Sequence, residues 1–214
     1  MRVTNLTQGT AEWLRWLASG LGGSDAPAIA GVSPWTTPLV LWQRRTGAAA
    51  EEEDDFAMRR GRRLEPIARR LYEASTRILT APLCGRHERH SWMRVSLDGI
   101  TLAGDLVLEI KAPNRDAHTL ALKGQVPEHY WPQLQHELAV SGAPLLHYVS
   151  ITENQAFGAT KDLPQIAPPV AVRPDPDYID RLIATEAEFW EMILCRRQPP
   201  PDWPAQSAMG RKTA

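Results

Sequence analysis

The amino-acid sequence predicts an α/β fold, a mixed central β-sheet flanked by helices. Three observations carry that expectation. Apolar residues recur at helical spacing over 11–18, 36–46 and 56–74, before any strand-like run. Three short β-type runs then follow, at 77–83, 93–97 and 106–110, punctuated by Gly99 and Gly104. A further helical segment, 127–140, a fourth strand, 145–151, and a last helix, 178–196, complete the order.

Length and charge set the frame. At 214 residues the chain suits one domain, expected at 1–197, with a Pro-rich tail at 198–214. No apolar run approaches the roughly 20 residues of a membrane span, and the first residues lack a signal-peptide hydrophobic region. A cytoplasmic location and no membrane partner are therefore expected. The two cysteines, Cys84 and Cys195, suit a reducing compartment and exclude a four-cysteine zinc or iron–sulfur site. A net charge of −1 means that any surface for nucleic acid must be local.

The elements follow in order. Trp13, Leu14, Trp16 and Leu17 make 11–18 an amphipathic helix. Next, Gly20-Leu21-Gly22-Gly23-Ser24-Asp25 feeds a short helix, with Ser24 expected as its N-cap, Pro27 in its first turn and Gly31 as its stop. Such a turn suits an ordinary capped helix and also an anion site. Thr36 and Thr37 with Pro38 open a helix closed by Gly47, and Trp35, Leu39 and Trp42 are expected in the core. The acidic run 51–55 reads as a solvated loop. The 56–74 helix carries the apolar stripe Leu64, Ile67, Ala68 and Leu71, and it is the most basic stretch of the chain. His87, Glu88 and His90 read as solvated, and 112–126 as a polar connection. In 127–140, stopped by Gly142, Leu134, Leu138 and Ser141 mark the packed stripe, with Gln133, His136 and Glu137 toward another side. Residues 154–160 are a candidate edge strand, 163–176 a Pro-rich loop, and Trp203 the one point where the tail docks.

The chemistry concentrates in the hairpin 96–111. Alternation along its second strand puts Glu109 and Lys111 on one face and Ile110 on the other. Pairing across the turn brings Asp98 near Glu109. Two carboxylates at that distance repel unless a cation lies between them. Mg²⁺ takes oxygen ligands of this kind, and a neighbouring lysine then serves phosphodiester hydrolysis. Glu-x-Lys alone is better read as a surface hairpin with a cross-strand ion pair; the preceding Asp98-Gly99 and the partners below reverse that.

The set Asp98, Glu109-x-Lys111 resembles the signature of the PD-(D/E)XK nuclease superfamily. The wider chain resembles its phage-type branch, the YqaJ-like and lambda-exonuclease-like enzymes. Gly22-Gly23-Ser24-Asp25, Gly61-x-x-x-Glu65-Pro66 and Tyr130-x-x-Gln133-x-Gln135 carry that resemblance, over roughly 11–151. It implies a restriction-endonuclease-like core and an Mg²⁺-dependent 5′→3′ exonuclease on linear double-stranded DNA, with Mn²⁺ able to substitute. The catalytic set it implies is Glu65, Asp98, Glu109, Lys111 and Gln133. Asp98, Glu109, the Ile110 carbonyl and Glu65 would hold the metal, Lys111 would activate the attacking water, and Gln133 would help position it. Gly23 and Ser24 would contact the terminal phosphate. Where relatives carry a phosphate-binding arginine this chain has Leu17, and the expected substitutes are Arg15 or the group Arg59, Arg62 and Arg63. A homotrimeric ring and a single-strand annealing partner are implied too. An endonuclease or junction resolvase of the same fold, or a catalytically inactive DNA-binding protein, are the alternatives.

Overall fold

A two-sided sheet and a largely buried helix organise the molecule, described here from a computed structural model over residues 1–50, 56–153 and 164–204. Strands β1 (Arg2–Thr4), β3 (Ala81–Arg86), β4 (Met93–Ile100) and β5 (Val107–Lys111) pair antiparallel in that order. Strand β2 (Leu21–Gly22) runs parallel to the start of β4. Strand β6 (Leu146–Glu153) joins β5 in parallel, in the register Glu109↔Tyr148 and Lys111↔Ser150. Two short strands, β7 (Pro164–Ile166) and β8 (Val170–Val172), pair antiparallel with the other edge of β6. Parallel pairing demands a crossover, and helices α5 (Arg115–Leu122) and α6 (Trp131–Ser141) supply it.

Each face of the sheet has its own core. Helix α4 (Phe56–Thr76) lays Leu64, Ala68 and Tyr72 against Leu108, Ile110, Val149 and Ile151. On the opposite face, Leu134, Leu138 and Val140 of α6 meet Met93, Val95, Leu97, Val107, Leu146 and Tyr148. Strand β5 is therefore covered on both sides, which accounts for its unbroken apolar run around Glu109. Helix α7 (Pro176–Leu194) packs outside α6 together with α2 (Ala26–Ile29), through Tyr178 and Leu182 against Ala26 and Ala30.

Helix α6 differs from the single-stripe expectation. Every residue from Pro132 to Leu138 is buried, because the sheet lies on one side and α2 and α7 on the other. Its polar side chains are accordingly paired inside the protein. Gln135 donates to the Arg173 carbonyl at 3.1 Å and accepts the Asp175 N–H at 2.8 Å. His136 sits 2.8 Å from Glu186 and 2.9 Å from the Arg94 carbonyl, all within the interior.

Several boundaries shift for physical reasons. The strand expected at 77–83 begins at Ala81, since α4 runs to Thr76, turns through a left-handed Arg77 (φ 63°), and the Glu73 carboxylate holds the Thr80 N–H. The connection expected at 112–126 contains α5, whose N-cap Asn114 accepts the Ala117 N–H at 3.0 Å. The Pro-rich stretch after Pro164 holds β7 and β8. Ser24 is no cap: it lies within a single 3-10 turn, Gly23–Asp25, and the Asp25 carboxylate takes the Gly22 N–H at 2.8 Å. Helix α1 (Ala11–Ala18) and helix α3 (Pro38–Arg45) form as predicted, the latter capped by Thr37. Trp42 is buried, but Trp35 is 65% and Leu39 41% exposed. The acidic run 51–55 and the candidate edge 154–160 lie outside the described residues. Trp203 docks as expected, donating its indole N–H to the Ile29 carbonyl at 3.1 Å.

Candidate active site

The site begins where a ladder ends. Strands β4 and β5 share two registered pairs, Gly99↔Leu108 and Ile100↔Val107. At the next position the Asp98 carboxylate, in place of a backbone carbonyl, accepts the Ile110 N–H at 2.8 Å. The first half of β4 pairs instead with β2, at Leu21↔Met93 and Gly22↔Arg94. A cleft of about 580 Å³ lies at this divergence. Its walls include Asp98, Glu109, Ile110 and Lys111 from the hairpin, Glu65 and Gly61 from α4, and Gln133 and Tyr130 at the start of α6. Ser24, Trp35 and Arg44 complete it.

Within the cleft, alternation along β5 has the predicted result: Lys111 Nζ stands 2.7 Å from Glu109 Oε1. Gln133 Nε2 donates to Glu109 Oε1 at 2.7 Å and to Glu137 Oε1 at 2.8 Å. Both acceptors are carboxylates, so the amide nitrogen must face them, and its two hydrogens are committed. Gln133 therefore has only its carbonyl oxygen to offer the cleft. Glu65 is anchored one turn along α4, with Arg69 2.6 Å from its carboxylate.

Like charges crowd this volume. Burial, then Glu109 and Glu65, push the Asp98 carboxyl well above the usual carboxylate range. Burial and Glu109 do the same to Glu137. Burial raises Glu65 despite the attraction of Arg69. Burial disfavours the charged form of Lys111, yet Glu109, Asp98 and Glu137 together more than offset it and raise its pKa. Lys111 is thus an ammonium among carboxylates. Its Nζ also lies 5.5 Å from the centre of the Tyr130 ring, an added cation–π attraction.

The donor set suits a hard divalent cation. It is made of oxygens, and its carboxylates, Glu65, Asp98 and Glu109, outnumber the one lysine among them; behind Gln133, outside the cleft lining, Glu137 Oε2 is buried with no hydrogen-bond partner. Among the described residues, no three His, Cys, Asp or Glu side chains stand close enough to enclose an ion by themselves. Mg²⁺ does not require that, since it keeps several waters and needs only one or two carboxylates. His87 and His90 stack at 4.9 Å, and Glu88 pairs with the N-terminal ammonium at 3.2 Å, away from this cluster.

The structure brings together Glu65, Asp98, Glu109, Ile110, Lys111, Gln133 and Ser24. Gly23 is buried beneath Glu137. Arg15, Arg59, Arg62 and Arg63 do not line the cleft. Arg63 forms a two-pronged pair with Glu153 at 2.7 and 2.8 Å, and Arg60 donates to the Ala112 carbonyl at 2.8 Å. Sequence reasoning missed Glu137, Trp35, Arg44 and Tyr130. For Glu137 a signal existed, its position one helical turn beyond Gln133.

Fold and cluster together define an α/β protein with an acidic, lysine-bearing cleft at an opened β-ladder. Residues 12–144 match the YqaJ-like viral recombinase domain, and the chain belongs to that family. The Bacillus subtilis (strain 168) protein YqaJ is 27% identical over 192 residues, 88% of this chain. The chain spans only 58% of that relative's length. Among solved structures, an alkaline exonuclease from Laribacter hongkongensis superposes with a TM-score of 0.67 at 22% identity, covering 88% of this chain and 94% of that one. The same enzyme in complex with dAMP gives 0.66 over the same shares, again at 22% identity. A phage-related exonuclease from Haemophilus somnus 129PT gives 0.57 at 12% identity, covering 83% and 96%. These likenesses establish the shared fold, a mixed sheet flanked by helices.

Proposed function

We propose that this chain is a Mg²⁺-dependent exonuclease. In this reading it degrades one strand of linear double-stranded DNA from 5′ to 3′ and leaves 3′ single-stranded overhangs for recombination by strand annealing. The observation that carries this reading is the convergence of Asp98, Glu109, Lys111 and Gln133 where β4 and β5 part. The names of the structural relatives, two exonucleases, one of them also captured with dAMP, support it.

Asp98, Glu109 and the Ile110 carbonyl would hold the metal, with Glu65 reached directly or through water. When bound, a divalent cation supplies Lewis-acid polarisation of the phosphoryl oxygens and lowers the pKa of coordinated water. The remaining steps belong to the chain. Gln133, its N–H groups occupied, offers its carbonyl oxygen to a water and not to a phosphate oxygen, which can only accept. Lys111 donates from its ammonium to that water or to the scissile phosphate. A ring of three subunits around DNA and a partner that anneals single strands belong to the same reading, and the family resemblance supports them.

End-labelled linear duplex, incubated with and without Mg²⁺, tests the proposal. Mononucleotides released progressively from the 5′ end, in Mg²⁺ only, are the expected result. Cleavage of closed circular DNA at a comparable rate would make the protein an endonuclease. No cleavage under either condition would leave a DNA-binding role.

A further inference from the structure

Trp35 is large, apolar and 65% exposed, although its sequence context places it in the core. It is not adrift on the surface. It lines the same cleft as Asp98 and Glu109, and its ring lies nearly parallel to that of Tyr130, 6.0 Å away and inclined by 28°. His129 meets it edge-on at 4.9 Å. Tyr130 in turn lies beneath the Lys111 ammonium at 5.5 Å. The indole is thus held by two aromatic neighbours while two-thirds of the residue stays exposed, and Tyr130 contacts both it and the amine at the reacting centre.

That placement has one chemical use in a cleft that takes a nucleic-acid strand. A strand drawn out of a duplex loses stacking and pairing for its terminal bases. An immobilised indole face replaces the lost stacking, and it does so for any base, because every base has a π-face. Taken together, the two separations through Tyr130 span at most about three nucleotide steps of a strand. We infer that Trp35 is a stacking platform for a nucleobase of the degraded strand, beside the scissile phosphate. This rests on the nuclease reading above and adds a base-binding subsite to it.

The test uses the full-length protein and fluorescence anisotropy of labelled duplexes in EDTA, so that binding is read without cleavage. One duplex is intact, and a matched one carries abasic residues at the first three positions of its 5′-terminal strand. Trp35→Ala should weaken binding of the intact duplex about tenfold, within the range base–aromatic stacking supports. Trp35→Phe should recover most of it. On the abasic duplex the wild type should itself bind less well, and Trp35→Ala should add less than a further twofold loss. An equal penalty on both duplexes, or none on either, with wild-type binding intact, would overturn the platform while leaving the nuclease reading in place. A wild type that binds neither duplex and cuts none would overturn both.

Discussion

The Asp98 carboxylate accepts the Ile110 N–H at 2.8 Å, at the point where β4 and β5 cease to pair. One side chain thereby satisfies a backbone donor that the parted ladder would leave bare, and sets beside Glu109 a carboxyl group whose ionisation burial and Glu109 oppose. Stability and chemistry compete at this residue. Asp98→Asn retains an oxygen for Ile110 and removes the charge. In chelator, the variant's melting temperature should rise by a few degrees, as repulsion with Glu109 and Glu65 is relieved. Hydrolysis should fall by at least about a hundredfold, and DNA binding should persist or tighten. Calorimetry and rates on labelled duplex read the two effects separately; near-wild-type cleavage would remove Asp98 from the site.

A pH dependence follows from the same crowding. The folded-state pKa values of Asp98 and Glu137 lie above the ordinary carboxylate value, so the folded protein binds more protons than the unfolded chain. Stability should therefore decrease as pH rises from about 4, the unfolded carboxylate value, up through the folded values. His136, raised chiefly by Glu186 against the effect of burial, acts in the same direction at higher pH. Thermal melts in chelator across pH 5 to 8 should show this decline, and it should be shallower in Asp98→Asn. Excess Mg²⁺ should flatten it, since a ligand that binds only the folded state stabilises it.

Local chemistry was legible in the sequence; long-range packing was not. The hairpin, the shared face of Glu109 and Lys111, and the approach of Asp98 depend on strand alternation and one turn. Helix α6 shows the limit. Its polar residues look solvent-facing by periodicity, yet the helix lies between the sheet and α2 with α7, so Gln135, His136 and Glu137 are all buried. Trp35 errs in the other direction: hydropathy places it inside, but the site geometry leaves its ring at the cleft. Arg15 and Arg44 were likewise inseparable by local pattern, because only the tertiary arrangement sets α3 beside the Ser24 turn.

The contact between that turn and α6 gives a further prediction. A Cβ on Gly23 would stand 3.1 Å from Glu137 Oε1, 3.3 Å from its Cγ and 3.4 Å from Gln133 Cγ. Neither buried side chain can retreat without moving the amide bridge to Glu109. Gly23→Ala should cost about 1–3 kcal/mol of stability, as overpacking does. Because Gln133 moves with Glu137, kcat should fall more than KM changes, by roughly tenfold for a displacement of this kind. Denaturant melts and steady-state kinetics on one preparation decide this. A variant with wild-type kcat would show that the turn and Gln133 are mechanically independent.

The end-binding residues allow the last prediction. Leu17 occupies the place where an arginine was expected from the family resemblance, and neither Arg15 nor Arg63 takes over, the one being off the cleft and the other paired with Glu153. Among the described residues, the arginine lining the cleft with Ser24 is Arg44, near the end of α3. Its neighbour Arg45 is engaged with Asp25 at 2.6 Å, which braces the turn that presents Ser24. A terminal 5′-phosphate between Ser24 and Arg44 would gain a hydroxyl bond and a charge-assisted one, the latter worth roughly 1.5–3 kcal/mol. Wild-type protein should therefore digest a 5′-phosphorylated duplex about ten- to a hundredfold faster than its 5′-hydroxyl counterpart at sub-saturating DNA. Arg44→Ala should remove most of that preference, Ser24→Ala a smaller part, and Arg15→Ala none. Initial rates on matched duplexes differing only in that phosphate measure it. A preference that survives Arg44→Ala unchanged would place the phosphate elsewhere.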